Sequence, residues 1–222
     1  MIGALIFDFD GLIIDTEEAD FRSWAEVYQE HGCELPFDTW RSNIGYAEGE
    51  GRFDAYAFLE EQLGRSLDRE SIRTRRRRRL LELIDDRPVR PGVETYLADA
   101  KRLSLKLAVA SSAPRWWVED HLGKRGLRDH FAHVTCVDDV ERGKPDPAVY
   151  LTTLRRLNLS ADRAVALEDS PTGARAARRA GIYCVAVPNP ITRGLPFDHA
   201  DRLVDSLADL PLAHLLAELA KR

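Results

Sequence analysis

The sequence predicts an α/β fold: a Rossmann-like, doubly wound parallel sheet, interrupted after its first strand by an all-helical insertion. Three observations predict it. An apolar run opens the chain, IGALIFDFDGLIID at 2–15, and ends in two aspartates, Asp8 and Asp10, followed by Gly11. From Pro91 onward, short apolar runs alternate with helical patterns of about 10–15 residues, the mark of βαβ units and a parallel sheet. Between these, residues 16–88 show recurrent amphipathic helical periodicity and no convincing strand.

The elements follow in order. Glu17 to His31, Gly51 to Leu63 and Asp68 to Ile84 read as the helices of the insertion. A helix is predicted over 92–103, a strand at 105–110 (LKLAVA) and a helix from Pro114 to about Arg125. A strand at 133–137 (HVTCV), a helix from Asp146 to Leu157 and a strand at 164–168 (AVALE) come next. A helix from Pro171 to Ala180, a strand at 183–187 (YCVAV), a short apolar piece around Leu203 and a final helix from about Leu207 complete the chain. The domain organisation expected is a core of residues 1–15 and 89–222 with a cap of residues 16–88.

Hydrophobic content of 44% and charged content of 31% in 222 residues describe an ordinary globular protein, one generous domain or a domain with an insert. A net charge of −5 gives no general electrostatic reason to expect nucleic acid or an anionic membrane as partner. No apolar stretch approaches the roughly 18–20 residues of a membrane span, and the first residues lack the pattern of a signal peptide. Cys33, Cys136 and Cys184 show no paired spacing, which fits reduced thiols and a cytoplasmic location. The run Arg75 to Arg79 is the local anomaly. Residues 16–88 hold 12 arginines and no lysine against 17 aspartates and glutamates, so the run reads as a solvated helix face rather than a nucleic-acid patch.

The chemistry gathers at predicted strand ends, where open α/β sheets place ligands. Asp8 and Asp10 leave the first strand on one side; carboxylates so crowded share a proton or bind a cation. Ser111 and Ser112 follow the second strand and precede Pro114, a strand-to-helix turn suited to phosphate. Lys144, in GKPDP, precedes a helix and offers a point charge. Glu168 and Asp169 end AVALE and supply the hard oxygens that Mg²⁺ prefers. Ser170 reads as a plain helix cap.

Taken in order, DFDGLIIDT, SSA, GKPDP and EDSPTG resemble the four motifs of the haloacid dehalogenase (HAD) superfamily, over essentially the whole chain. The insertion resembles that superfamily's C1 helical cap, and the chain is most similar to the β-phosphoglucomutase and small-phosphatase branch. The resemblance implies that Asp8 is a nucleophile forming an aspartyl-phosphate and that Asp10 is the general acid, then base. It implies Ser111, Ser112 and Lys144 as the phosphate-binding group. It also implies a Mg²⁺ site at Asp8, Asp169, Glu168 and the backbone carbonyl of Asp10.

Within the family, Asp10 favours phosphate esters over halides. The absence of lysine from 16–88 disfavours phosphonates, whose cleavage uses a cap lysine. Sugar phosphomutases of this branch carry a histidine ten residues after the second aspartate, where this chain has Asp20. They also carry a cap arginine at a place matched here by Gly45-Tyr46-Ala47-Glu48. A phosphatase acting on a small phosphorylated metabolite is therefore expected ahead of a mutase. Glu17, Asp20 and Arg115 are the substrate-facing candidates, and Trp116 and Trp117 read as packing aromatics. A non-enzymatic phospho-acceptor module is disfavoured by the insertion and by Asp8 standing on the first strand. A monomer or small homo-oligomer is expected.

Overall fold

Six parallel strands in the order β3-β2-β1-β4-β5-β6 form the sheet of the computed structural model, which describes residues 1–41, 44 and 53–221. The strands are β1 (Ala4–Phe7), β2 (Lys106–Ala110), β3 (His133–Thr135), β4 (Ala164–Glu168), β5 (Tyr183–Ala186) and β6 (Arg202–Leu203). Every residue of β1 and β4 is buried, as a sheet covered on both faces requires. Alternation along β1 sends Leu5 and Phe7 into one apolar cluster, with Val109 and Val165. Ala4 and Ile6 go into the other, with the small residues Ala108, Ala164 and Ala166.

Helices α1 (Glu17–Glu30), α2 (Phe37–Arg41), α3 (Ala55–Leu63) and α4 (Arg69–Asp85) lie between β1 and β2 in the chain. They share a third apolar cluster containing Trp24, Tyr28, Trp40, Leu59 and Ile72. Asp54 caps α3 through the N–H groups of Tyr56 and Ala57, and Gly64 ends it with a φ of 63°. The far end of α4 joins the sheet instead, through Leu80 and Ile84. Three of the five arginines of the run are ion-paired within the chain: Arg75 pairs with Glu30, Arg76 with Asp20, and Arg79 with Glu26 and Glu82. Arg77 lies 4.6 Å over the ring of Trp116.

Helices α5 (Val93–Arg102), α6 (Arg115–Lys124), α7 (Ala148–Leu157), α8 (Pro171–Arg179) and α9 (Leu212–Leu219) complete the layers. Differences from expectation are local. Strand β1 stops at Phe7 because Gly11, at a φ of 79°, turns the chain so that its N–H meets the carbonyl of Ile14 at 2.7 Å. Helix α2, with five residues, is too short to show a period. The last helix begins at Leu212 rather than Leu207, since a 3₁₀ turn at 207–209 and Pro211 precede it. Ser170 does cap α8, accepting from the N–H of Gly173.

Candidate active site

The winding direction reverses between β1 and β4, which leaves a crevice at their carboxyl ends. Phe7 pairs with Leu167, so Asp8 and Glu168 are the next residue on each strand. Asp8, Glu168 and Asp169 are all buried, and each offers a carboxylate oxygen within 4.8 Å of the others. Lys144, only 3% exposed, donates to Asp8 Oδ1 at 2.5 Å and to Glu168 Oε1 at 2.7 Å. The Tyr150 hydroxyl donates to the same Glu168 oxygen at 2.5 Å.

One lysine among three buried carboxylates leaves negative charge uncompensated. Burial pushes the Asp8 carboxyl up to about 8, with Lys144 opposing and Glu168 adding to the rise. Asp169 is raised well above the carboxylate range by burial, then by repulsion from Asp8 and Glu168. For Lys144, burial alone would lower the ammonium, but the attraction of Asp8 and Glu168 outweighs it and the group is held above its ordinary value. Glu168 Oε2 is buried with no hydrogen-bond partner among the described residues. Hard oxygen donors, excess negative charge and an orphaned carboxylate oxygen together fit a small divalent cation.

Two glycines make room for this cluster. A Cβ on Gly11 would stand 2.1 Å from Asp169 Oδ2, and one on Gly173 would stand 2.0 Å from Glu168 Oε2. Both glycines are thus required by close approach of a carboxylate, Gly11 also by its positive φ.

Asp10, two residues after Asp8, lies outside the carboxylate cluster. Its Oδ1 accepts from Thr16 Oγ1 and from Trp117 Nε1, each at 2.8 Å. Thr16 is the N-cap residue of α1 but makes no side-chain cap, because its hydroxyl goes to Asp10; Glu17, Glu18 and Asp20 answer the helix dipole instead. Burial raises the Asp10 carboxyl, with the Trp117 and Thr16 hydrogen bonds opposing.

A cavity of about 380 Å³ joins these groups, and Asp8, Asp10, Ser111, Ser112, Lys144 and Asp169 line its floor. Ser111 Oγ accepts from the Ala113 N–H at 3.0 Å, while Ser112 Oγ is buried with no partner among the described residues. Glu17 and Asp20 face the cavity from α1. Arg115 does not line it. Its guanidinium is held by Asp139 at 2.5 Å, Glu119 and the carbonyl of Val134, which turns the side chain toward β3. Gly45 to Glu48 lie outside the described residues.

The family model for haloacid dehalogenase-like hydrolases matches residues 5–187. The chain belongs to the haloacid dehalogenase-like hydrolase family. YhcW of Bacillus subtilis (strain 168), which carries a phosphatase name, is 44% identical over 219 residues, covering 99% of this chain and 98% of its own. A protein of Thermotoga maritima named phosphorylated carbohydrates phosphatase is 34% identical, covering 81% of this chain and 82% of its own. Among solved structures, CbbY from Rhodobacter sphaeroides, in a mutant form complexed with xylulose-(1,5)bisphosphate, superposes with a TM-score of 0.77. It is 33% identical over 97% of this chain and 99% of that one. In this HAD-like hydrolase, then, the expected fold and family are both found.

Several groups around the site were not assigned to it from the sequence. Trp117, read as a packing aromatic, reaches Asp10. Asn189 donates to Asp169 Oδ2 at 2.6 Å, and Thr192 donates to the Asp169 carbonyl at 2.7 Å. Both follow β5, so the strand-end rule that found the other motifs also reaches them. Arg90 donates to the carbonyls of Gly11, Val187 and Pro188, tying the turn after β1 to the loop after β5. Tyr150 sits at an ordinary apolar position of α7, and no sequence signal marks it.

Proposed function

We propose that this HAD-like hydrolase is a Mg²⁺-dependent phosphatase that hydrolyses a small, sugar-phosphate-like monoester through an aspartyl-phosphate. The observation that carries this reading is the separation of two carboxylates from one motif. Asp8 sits with Lys144, Glu168 and Asp169, whereas Asp10 is drawn out of that cluster by Thr16 and Trp117. Environments that different suit different roles.

In the proposed first step an Asp8 carboxylate oxygen bonds to phosphorus. The bond from phosphorus to the ester oxygen breaks, its electron pair going to that oxygen, which takes the proton of Asp10. In the second step Asp10, now a carboxylate, takes a proton from water as the water oxygen bonds to phosphorus. The phosphorus–Asp8 bond breaks, and Asp8 and the acid form of Asp10 are restored. Ser111, Ser112 and Lys144 hold the phosphoryl oxygens. Held by Asp8, Asp169, Glu168 and the Asp10 carbonyl, Mg²⁺ would offset the charge that gathers on the transferring group. Residues 16–88 act as the cap over a core of 1–15 and 89–222, with Trp40, Phe53 and Leu80 walling the cavity on that side.

A single phosphate on the substrate is supported by the cap wall. Arg76 is the arginine lining the cavity among the described residues, and its guanidinium pairs with Asp20 and Ser23 while lying 4.7 Å over Trp24. Nη1 is thereby engaged within the protein, while the buried Nε has no partner among the described residues. A panel of hexose, pentose, hexitol and ketose phosphates, bisphosphates included, tests the reading. Phosphate release dependent on Mg²⁺ and fastest from monophosphates is expected. With β-glucose 1-phosphate and a bisphosphate primer, glucose 6-phosphate appearing faster than free phosphate would establish the mutase instead.

The metal site carries its own expected result. Mg²⁺ at a hundredfold excess over its dissociation constant stabilises by about 2.7 kcal/mol, so Tm should rise by roughly 5–10 °C. Chelation should reverse the rise and Asp169→Asn should remove it. An unchanged Tm at saturating Mg²⁺ would refute the site.

A further inference from the structure

The two hydrogen bonds that hold Asp10 end on the same oxygen. A carboxyl oxygen has two lone pairs, and Oδ1 of Asp10 receives the Thr16 hydroxyl and the Trp117 indole N–H, each at 2.8 Å. Among the described residues no hydrogen bond reaches Oδ2. The indole N–H can only donate, and a proton on Oδ1 would have to reverse the Thr16 bond, so Oδ2 is the oxygen that carries a proton with both bonds intact. We infer that Trp117 is a positioning residue for the reaction: its N–H reserves Oδ1, so that Oδ2 alone exchanges the proton with the leaving oxygen and then with water. The inference rests on the reading of Asp10 as general acid given above, and it goes beyond it in assigning a role to a residue of α6.

The indole is built to hold that direction. Its ring meets Trp116 edge to face at a centroid distance of 5.7 Å and His121 at 4.3 Å. His121 is itself stacked at 6.4 Å on Phe9, the residue between the two aspartates. Thus α6 and the loop after β1 are packed through one aromatic column, and the N–H direction follows from that packing rather than from a free side chain. Thr16 supplies the second bond from the first residue of the insertion, so the two donors come from separate parts of the chain, 6 and 107 residues after Asp10. A preorganised donor of this kind costs no reorganisation when charge moves.

The test separates proton delivery from packing by varying the leaving group. Phenyl, benzyl and p-nitrophenyl phosphate are similar in shape but differ in how much their leaving oxygen needs a proton. For each, kcat/KM reports steps up to departure of that oxygen. Trp117→Phe keeps an aromatic ring, smaller than the indole, and removes the N–H. The expected result is a loss that grows with the basicity of the leaving oxygen. The ratio of kcat/KM for p-nitrophenyl over benzyl phosphate should rise by about tenfold or more, within the range general acid catalysis supplies. Thr16→Val removes the other donor and should shift the ratio the same way, which keeps the test available if the Trp117 variant folds poorly. Equal losses on all three esters, or an unchanged ratio in both variants, would overturn the inference. Asp10→Asn distinguishes the two levels of the argument. If it shows the leaving-group signature and Trp117→Phe and Thr16→Val do not, only the positioning role fails. If Asp10→Asn shows none, the assignment of Asp10 fails, and the inference with it.

Discussion

Asp8→Asn is expected to lower Mg²⁺-dependent phosphate release from p-nitrophenyl phosphate on the order of 10⁴-fold or more, as removal of a nucleophile does elsewhere. The change keeps the shape of the side chain, so Lys144 still has a partner in Glu168. What is lost is the charge that attacks phosphorus. Stability should move the other way. In the metal-free protein, burial pushes the Asp8 carboxyl up to about 8 from 3.8. A carboxyl raised on folding contributes stability that is complete below the unfolded pKa and is lost as pH climbs through the folded one. Metal-free wild type should therefore lose Tm between about pH 4 and 8, and Asp8→Asn should lose less of it. Retained turnover would refute the nucleophile. A variant that unfolds instead would show that Asp8 serves the fold.

Much of this site was legible because its residues stand at strand ends. Asp8, Ser111 and Asp169 each follow an apolar run whose period of two or continuous burial is visible in the sequence, and the topology does the rest. The parts that were not legible depend on side-chain direction. Arg115 stands just past the serine turn, but Asp139 on the next connection draws its guanidinium away from the cavity. Trp117 stands two residues later on the same helix and swings inward. No local pattern distinguishes the two, because the difference comes from partners far along the chain, Asp139 for one and Asp10 for the other. Tyr150 shows the same limit from inside: α7 reads as an apolar helix face, and only the folded sheet sets its hydroxyl on Glu168. Helix bounds were readable at some caps, as at Gly64 and Asp68, and less so at the start of α3, read from Gly51 but capped by Asp54, and where Pro211 delays the last helix.

Lys144→Met should damage stability and catalysis together, and the two effects can be separated. The ammonium sits within hydrogen-bond reach of Asp8 and Glu168 and 5.2 Å from the Tyr150 ring centroid, with almost no access to solvent. Removing one partner of a buried ionic group leaves the rest uncompensated, at about 3–5 kcal/mol, which thermal unfolding of the metal-free protein would register. Mg²⁺ brings positive charge to the same carboxylates, so it should restore more Tm to the variant than it adds to wild type. Activity should not return with it. Lys144 is proposed to hold a phosphoryl oxygen, and loss of one such donor costs on the order of 10²–10³ in kcat. Lys144→Arg should fare no better, since a planar fork does not fit a space shaped for a point charge under a tyrosine ring. The double variant Lys144→Met/Asp8→Asn completes the argument. Above about pH 8, where the Asp8 carboxyl of the metal-free protein is ionised, one positive and one negative charge are removed, and metal-free stability should recover most of what Lys144→Met lost, while activity stays at the level of Asp8→Asn. If the double variant is no more stable than Lys144→Met, the lysine stabilises by packing alone, and charge balance is not what holds this cluster together.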